Sequence, residues 1–302
     1  MSIRAQLIHG VLRLFGSMPL KVHYAISGFL AWLIGDVFRY RRDVVSFNLA
    51  RCFPEKTTKE LKALRKDSYR HFADIVVEAV WFGACRNPER LRKARIVSIA
   101  NPELAMDLFE KAPGMAVLYS HCGNWELYGG IENYNYTDGG IPFTEQNFCV
   151  VYKETNSRTT DAVLRENRVA PLKDRDGFEG YVETKELVRY ALRHRNDKKV
   201  YNINTDQRPY VSSNANVPVR FLGLDTQSMT GAAAIARKLG MAVCYLTMRI
   251  ESRGHYILEY KPICEDASKM TAQEIMQQYY SYLEEDIRKQ PANYLWTHRR
   301  FR

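Results

Sequence analysis

The sequence predicts an α/β fold. A single domain carries a central, mostly parallel twisted sheet flanked by helices, preceded by an apolar helical segment. Three observations carry that prediction. β-Branched and aromatic runs recur at Met115–Tyr119, Phe148–Tyr152, 199–203, 242–247 and 256–260. Helical spacing of apolar residues lies between several of them, and strands alternating with helices build a parallel sheet covered on both faces. Before residue 40 the chain is apolar with basic flanks.

The first segment, residues 5–15, is apolar with Arg4 and Arg13 at intervals, and Pro19 breaks it. Residues 22–35 then form a 14-residue run without Asp, Glu, Lys or Arg, holding Phe29, Leu30, Trp32, Leu33 and Ile34. A comfortable membrane span needs about 20 such residues. The run therefore reads as a marginal span or an interfacial helical hairpin, with Arg39, Arg41 and Arg42 at headgroup level. A buried core helix is the plain alternative. A cleaved signal peptide fits less well, because Arg13 interrupts the apolar stretch. Residues 1–40 are taken as a membrane-anchoring segment and 41–302 as the main domain.

Residues 56–82 place Leu61, Leu64, Tyr69, Phe72, Ile75, Val76 and Ala79 at helical spacing, predicting one or two helices. Met115–Tyr119 reads as a short buried strand, Gly123 and Asn124 as turn and N-cap, and 125–131 as a helix start. Further on, 181–193 and 229–239 are the clearest helical patterns, the second closed by Gly240. The stretches 54–58, 86–92 and 207–218 read as loops, and there is no repeat or linker.

The strand-to-helix transition at 118–127 carries the chemistry. His121 and Glu126 are five positions apart, which on an unbroken helix would set them roughly 140° from each other. They converge only across a turn, with His121 on the loop at the carboxyl end of a strand and Glu126 in the first helical turn. A carboxylate holding one imidazole nitrogen fixes the tautomer, frees the other nitrogen to take a proton and stabilises the imidazolium. Against this stands the commoner case of a histidine that is merely packed or solvated near a strand end. Cys122 as a nucleophile fits poorly, since neighbours on an extended chain point to opposite sides. A second cluster, Asn204-Thr-Asp-Gln-Arg-Pro209, also ends a strand; Asp206 and Arg208 there suit either a ligand contact or a local turn and ion pair.

The 302 residues hold 44 Lys and Arg against 34 Asp and Glu, a formal charge of +10 that favours an acidic partner. Basic residues gather at 39–42, 86–95 and 298–302, without zinc-finger or RNA-recognition spacing, so a membrane surface ranks above nucleic acid. Six scattered cysteines lack any CxxC pair, which argues against a structural zinc site or a disulfide scaffold and fits a reducing compartment.

Together these pieces resemble the late acyltransferases of lipid A biosynthesis, the lauroyl and myristoyl transferases within the lysophospholipid acyltransferase superfamily. The similarity runs nearly full length. It rests on Arg41-Arg-Asp-Val-Val-Ser-Phe-Asn-Leu-Ala50 with Phe53 and Pro54, then His121-Cys-Gly-Asn-Trp-Glu126 and Val151-Tyr-Lys-Glu-Thr-Asn156. Asp206-Gln207, Val217-Pro-Val-Arg-Phe-Leu-Gly223 with Thr230-Gly231, and Tyr294-Leu-Trp-Thr-His-Arg-Arg-Phe301 follow.

The resemblance implies a glycerolipid acyltransferase-like fold and transfer of a fatty acyl group from acyl carrier protein or coenzyme A to a hydroxyl of a lipid A precursor. The setting it implies is the cytoplasmic face of a bacterial inner membrane, with no cofactor and no metal. It gives His121 the base role and Glu126 the orienting role. Asn124, Trp125, Lys153, Asp206, Gln207, Arg299 and Arg300 carry over as substrate-binding or motif residues. Lys153 stands where relatives commonly have arginine, and Glu126 where some have aspartate. The oxyanion donors expected are the helix N-terminus after Gly123 or a basic side chain such as Lys153. Two other readings remain: acylation of a different lipid (a lysophospholipid, an ornithine lipid or a phosphatidylinositol mannoside), or a non-catalytic basic protein of membrane surfaces.

Overall fold

Every residue of the strand Met115–Tyr119 is buried, because parallel strands flank it on both sides. Its side chains alternate between two cores: Ala116 and Leu118 face one, Met115, Val117 and Tyr119 the other. The computed structural model describes residues 2–86, 88–134, 143–155, 157–172, 177–209 and 216–301. Asn156, Arg302 and residues 210–215 of the expected 207–218 loop lie outside them.

In chain order the described elements begin with helices α1 (Ile3–Gly16), α2 (Leu20–Trp32, continued by a π turn at Leu33–Val37), α3 (Arg42–Cys52), α4 (Thr58–Gly83) and α5 (Pro88–Ala94). Strand β1 (Val97–Ile99), helix α6 (Pro102–Lys111), strand β2 (Met115–Tyr119) and a 3-10 segment, Trp125–Asn133, come next. After β3 (Phe148–Tyr152) come α7 (Arg158–Arg168), β4 (Tyr181–Glu183), α8 (Leu187–Arg193) and β5 (Val200–Asn204). The hairpin β6 (Asn216–Phe221) and β7 (Leu224–Met229) precedes α9 (Gly231–Leu239), β8 (Ala242–Ser252), β9 (His255–Cys264) and α10 (Ala272–Lys289).

Seven strands form one sheet in the order β1-β9-β8-β2-β5-β3-β4, parallel except for β8 against β9. The mostly parallel sheet is thus as expected. Three local expectations change. Residues 88–92 of the expected 86–92 loop are helical, in α5. The stretch 181–193 is not one helix: Tyr181 enters the sheet beside Val150 and stacks on Tyr152 at 3.9 Å, and the helix starts only at Leu187. The turn after Asn124 is a 3-10 segment rather than an α-helix. Residues 58–83 form one helix, started by a capping box of Thr57 and Glu60.

α1 and α2 form a hairpin that packs along α4. Tyr24 donates to Glu78 at 2.7 Å and Ser27 to Asp74, while Arg253 bonds Asp74 at 2.7 Å. The opposite face keeps large apolar side chains in solvent, with Leu14 73% and Phe29 60% exposed. Ile3, Leu7, Val11 and Leu14 recur at the spacing of a single helical stripe. Among the described residues no helix is long and apolar enough to cross a membrane.

Candidate functional site

β2 and β5 are adjacent and parallel, with Tyr119 and Asn204 in register at their carboxyl ends, so the loops that leave them begin side by side. His121 lies two residues beyond β2 and Asp206 two beyond β5. The chain turns immediately after His121 because Gly123 has φ +67°, and a Cβ there would meet Met248 Cγ at 2.4 Å. The C-terminal segment braces the same loop. Gly123 N–H donates to Asn293, Leu295 N–H donates to His121 O at 3.1 Å, and Cys122 pairs with Tyr294.

The imidazole of His121 is held by Asp206. Nδ1 lies 2.7 Å from Asp206 Oδ1, and the His121 backbone N–H donates to Oδ2 at 3.3 Å. Burial would push the Asp206 carboxyl up, but the adjoining imidazole and hydrogen bonds from His121 and Tyr294 hold it below the usual carboxylate range. An ionised Asp206 requires the proton on Nδ1, which leaves the Nε2 lone pair toward the open side. There the amides of Gln207 and Asn204 meet it at 3.2 and 3.3 Å. Trp125 packs edge-on against the ring, centroids 4.8 Å apart.

The carboxylate expected on that ring, Glu126, makes its hydrogen bonds elsewhere. Arg168, at the end of α7, grips it with Nε at 2.7 Å from Oε2 and Nη2 at 2.8 Å from Oε1, and the Trp125 indole donates to Oε1 at 3.1 Å. The bidentate fork and the indole hold both Glu126 oxygens, while the loop after β5 brings Asp206 onto the imidazole. Burial opposes the ionised Glu126, yet the Arg168 charge wins and the carboxyl stays below its ordinary range.

Both groups open onto a cavity of about 610 Å³, within the range of small-molecule sites. It runs from His121 past Val150 and Tyr152 of β3 to Leu187 of α8 and to Ala232 and Ile235 of α9. Trp125, Gln207 and exposed Lys153 also line it. Asn124 does not: it is fully buried, caps the 3-10 segment by accepting from Glu126 N–H, and donates to Glu78 at 2.8 Å. The N-terminus of that segment offers no N–H from Gly123, Asn124 or Glu126 to a substrate, since these already donate to Asn293, Met248 Sδ and Asn124. Cys122 is 1% exposed, and burial raises its thiol well above the ordinary value, so a thiolate nucleophile there is unsupported.

The two terminal arginines part company. Arg299 is exposed, whereas Arg300 is 2% exposed and lines a separate cavity. Sequence reasoning did not single out Arg168, which stands in an unremarkable run of charges on α7, or Tyr294 as a partner of Asp206. The other quoted motifs gather around the same loop: Asn48 donates to Trp296 O and His298 O at 2.9 and 2.8 Å, and Trp296 packs edge-on against Phe53.

A family described as bacterial lipid A biosynthesis acyltransferase matches residues 3–302. A curated relative, the lipid A biosynthesis lauroyltransferase of Escherichia coli (strain K12), is 25% identical over 306 residues, covering 97% of this chain and 89% of its own.

Proposed function

This chain belongs to the bacterial lipid A biosynthesis acyltransferase family, and from that premise we propose that it transfers a fatty acyl group to a hydroxyl of a lipid A precursor with His121 as general base. The donor is the thioester of acyl carrier protein or coenzyme A. The reaction takes place at the cytoplasmic face of the inner membrane. Family membership supports the coarse activity, acylation in lipid A synthesis. The observation that carries the mechanism is a histidine held through Nδ1 by a buried carboxylate, with Nε2 at the mouth of an apolar cavity.

The acceptor hydroxyl gives its proton to Nε2 of His121 as its oxygen attacks the thioester carbonyl. Asp206 stabilises the imidazolium that forms. The negative charge that develops on the carbonyl oxygen is met by the amide N–H groups of Gln207 and Asn204, displaced from Nε2 by the incoming hydroxyl, together with Lys153. Collapse of the tetrahedral adduct breaks the carbon–sulfur bond, and the departing thiolate takes the proton back from His121. Glu126 acts through its neighbours, fixing Arg168 and Trp125 and adding a second negative charge near the imidazolium. The acyl chain lies in the cavity between β3, α8 and α9. The exposed apolar stripe of the N-terminal hairpin and the formal charge of +10 support a hairpin lying in an anionic bilayer surface.

The test is mass spectrometry of lipid A from a deletion strain. We expect loss of one acyl chain, restored by the wild-type gene and not by His121→Ala. Intact lipid A in the deletion strain would redirect the reading to another acceptor lipid.

A further inference from the structure

We propose that the second cavity binds a phosphate-type anion borne by a substrate. The inference deepens the acyl-transfer reading and rests on it for the identity of the molecule that carries the anion.

The cavity holds about 540 Å³, and Arg51, Arg208 and Arg300 all line it. Arg300 is the anchor. The residue is 2% exposed, and Nη1 donates to Thr226 Oγ1 at 2.8 Å. Nη2 donates to Gln227 O at 2.9 Å and to the Tyr280 hydroxyl at 3.2 Å. It lies among the rings of Phe221, Tyr280 and Phe301 at 5.4 to 5.9 Å. Its Nε is buried and donates to no described group. Among the described residues no carboxylate lies within ion-pairing distance of any of the three arginines. The one carboxylate in the lining, Asp225, is 89% exposed and bonds Arg220 at 3.2 Å.

Burying a cation without a counter-charge is costly, and a site that keeps one on a cavity wall is complete only when an anion enters. Guanidinium groups match phosphate oxygens in pairs, with two donors in one plane. The cavity is larger than the ion alone needs, so the anion arrives as an ester of a bulkier group. Arg208 connects it to the chemistry: it lines both cavities and follows Gln207, whose amide is 3.2 Å from His121 Nε2. A phosphate held here positions its ester beside the base. A phosphorylated glycolipid acceptor and the phosphate-bearing arm of the thioester donor share this chemistry.

Arg300 is packed into the core, so Arg51 and Arg208, both exposed, are the positions to vary. In the first arm, thermal unfolding of the whole protein is followed while inorganic phosphate is titrated against chloride of equal ionic strength. Wild type gains stability in a saturable way, and Arg51→Ala with Arg208→Ala abolishes the gain. Equal responses in wild type and variant overturn the site. This arm needs no acyl transfer, so it stands even if His121→Ala keeps its activity and the functional reading falls.

The second arm compares kcat/KM for phosphorylated and dephosphorylated acceptor. Arg208→Ala lowers the preference for the phosphorylated form by about 10- to 100-fold, the value of a charge-assisted hydrogen bond. A rise of that size in the donor KM, with acceptor preference intact, assigns the phosphate to the donor. No change in either contradicts the proposal.

Discussion

At the scale of single residues the proposed reaction depends on how one imidazole is held. Asp206 bonds the imidazole directly, whereas Glu126 bonds Arg168 and Trp125. Purified variants should therefore rank in that order. Asp206→Asn removes the charge that stabilises imidazolium and should cost on the order of 10² to 10⁴ in kcat. Glu126→Gln, which leaves the His121–Asp206 contact in place, should cost less. A reversed ranking in steady-state assays would make Glu126 the working partner. The sequence pointed to Glu126 as the carboxylate on the imidazole and gave Asp206 only a ligand-contact or ion-pair role, whereas the geometry puts Asp206 on the ring. Spacing reports only local geometry, whereas Asp206 reaches His121 because β5 lies beside β2 in a register set 85 residues away.

Among elements, the buried carboxyl of Glu78 joins three that are distant in sequence. It sits on α4 and accepts from Tyr24 of α2 at 2.7 Å, from Asn124 of the loop after β2 at 2.8 Å and from Tyr256 of β9 at 2.8 Å. Burial outweighs these donors and raises its pKa to about 7. The folded state then binds more protons than the unfolded one between about pH 4.5 and 7. Glu78 thus costs stability as pH rises through that window, by about 3 kcal/mol once it is complete. Buried His71 and half-buried His298, both lowered to about 4, give the opposite slope between pH 4 and 6.5. The expected outcome is therefore a difference: in denaturant titrations across pH 5 to 8, the stability of wild type should fall relative to that of Glu78→Gln. Identical profiles would remove Glu78 from the account. The strands of the main sheet were legible because apolar runs bounded by turns have few alternatives. β1 and β4, of three residues each, and the split at 181–193 depend on neighbours that no local pattern reveals.

The molecule as a whole combines an apolar hairpin, a sheet edge and a C-terminal clasp that closes on the His121 loop. That clasp explains why motifs near residues 48, 121 and 296 occur together: they are hydrogen-bonded neighbours. The hairpin was legible as apolar and basic, but its length as two helices packed on α4 was set by tertiary contact. Replacing Phe29 and Trp32, 60% and 50% exposed, by serine should weaken binding to anionic vesicles by on the order of tenfold or more, as judged by co-sedimentation. Unchanged binding would place the lipid contact elsewhere. The central claim is a single base at the mouth of the apolar cavity. Its most direct test is the initial rate of acyl transfer by purified, correctly folded His121→Ala from a thioester donor to the lipid A precursor. A fall of about 10² to 10⁴ with unchanged thermal stability is the predicted result, and a rate equal to wild type would contradict it.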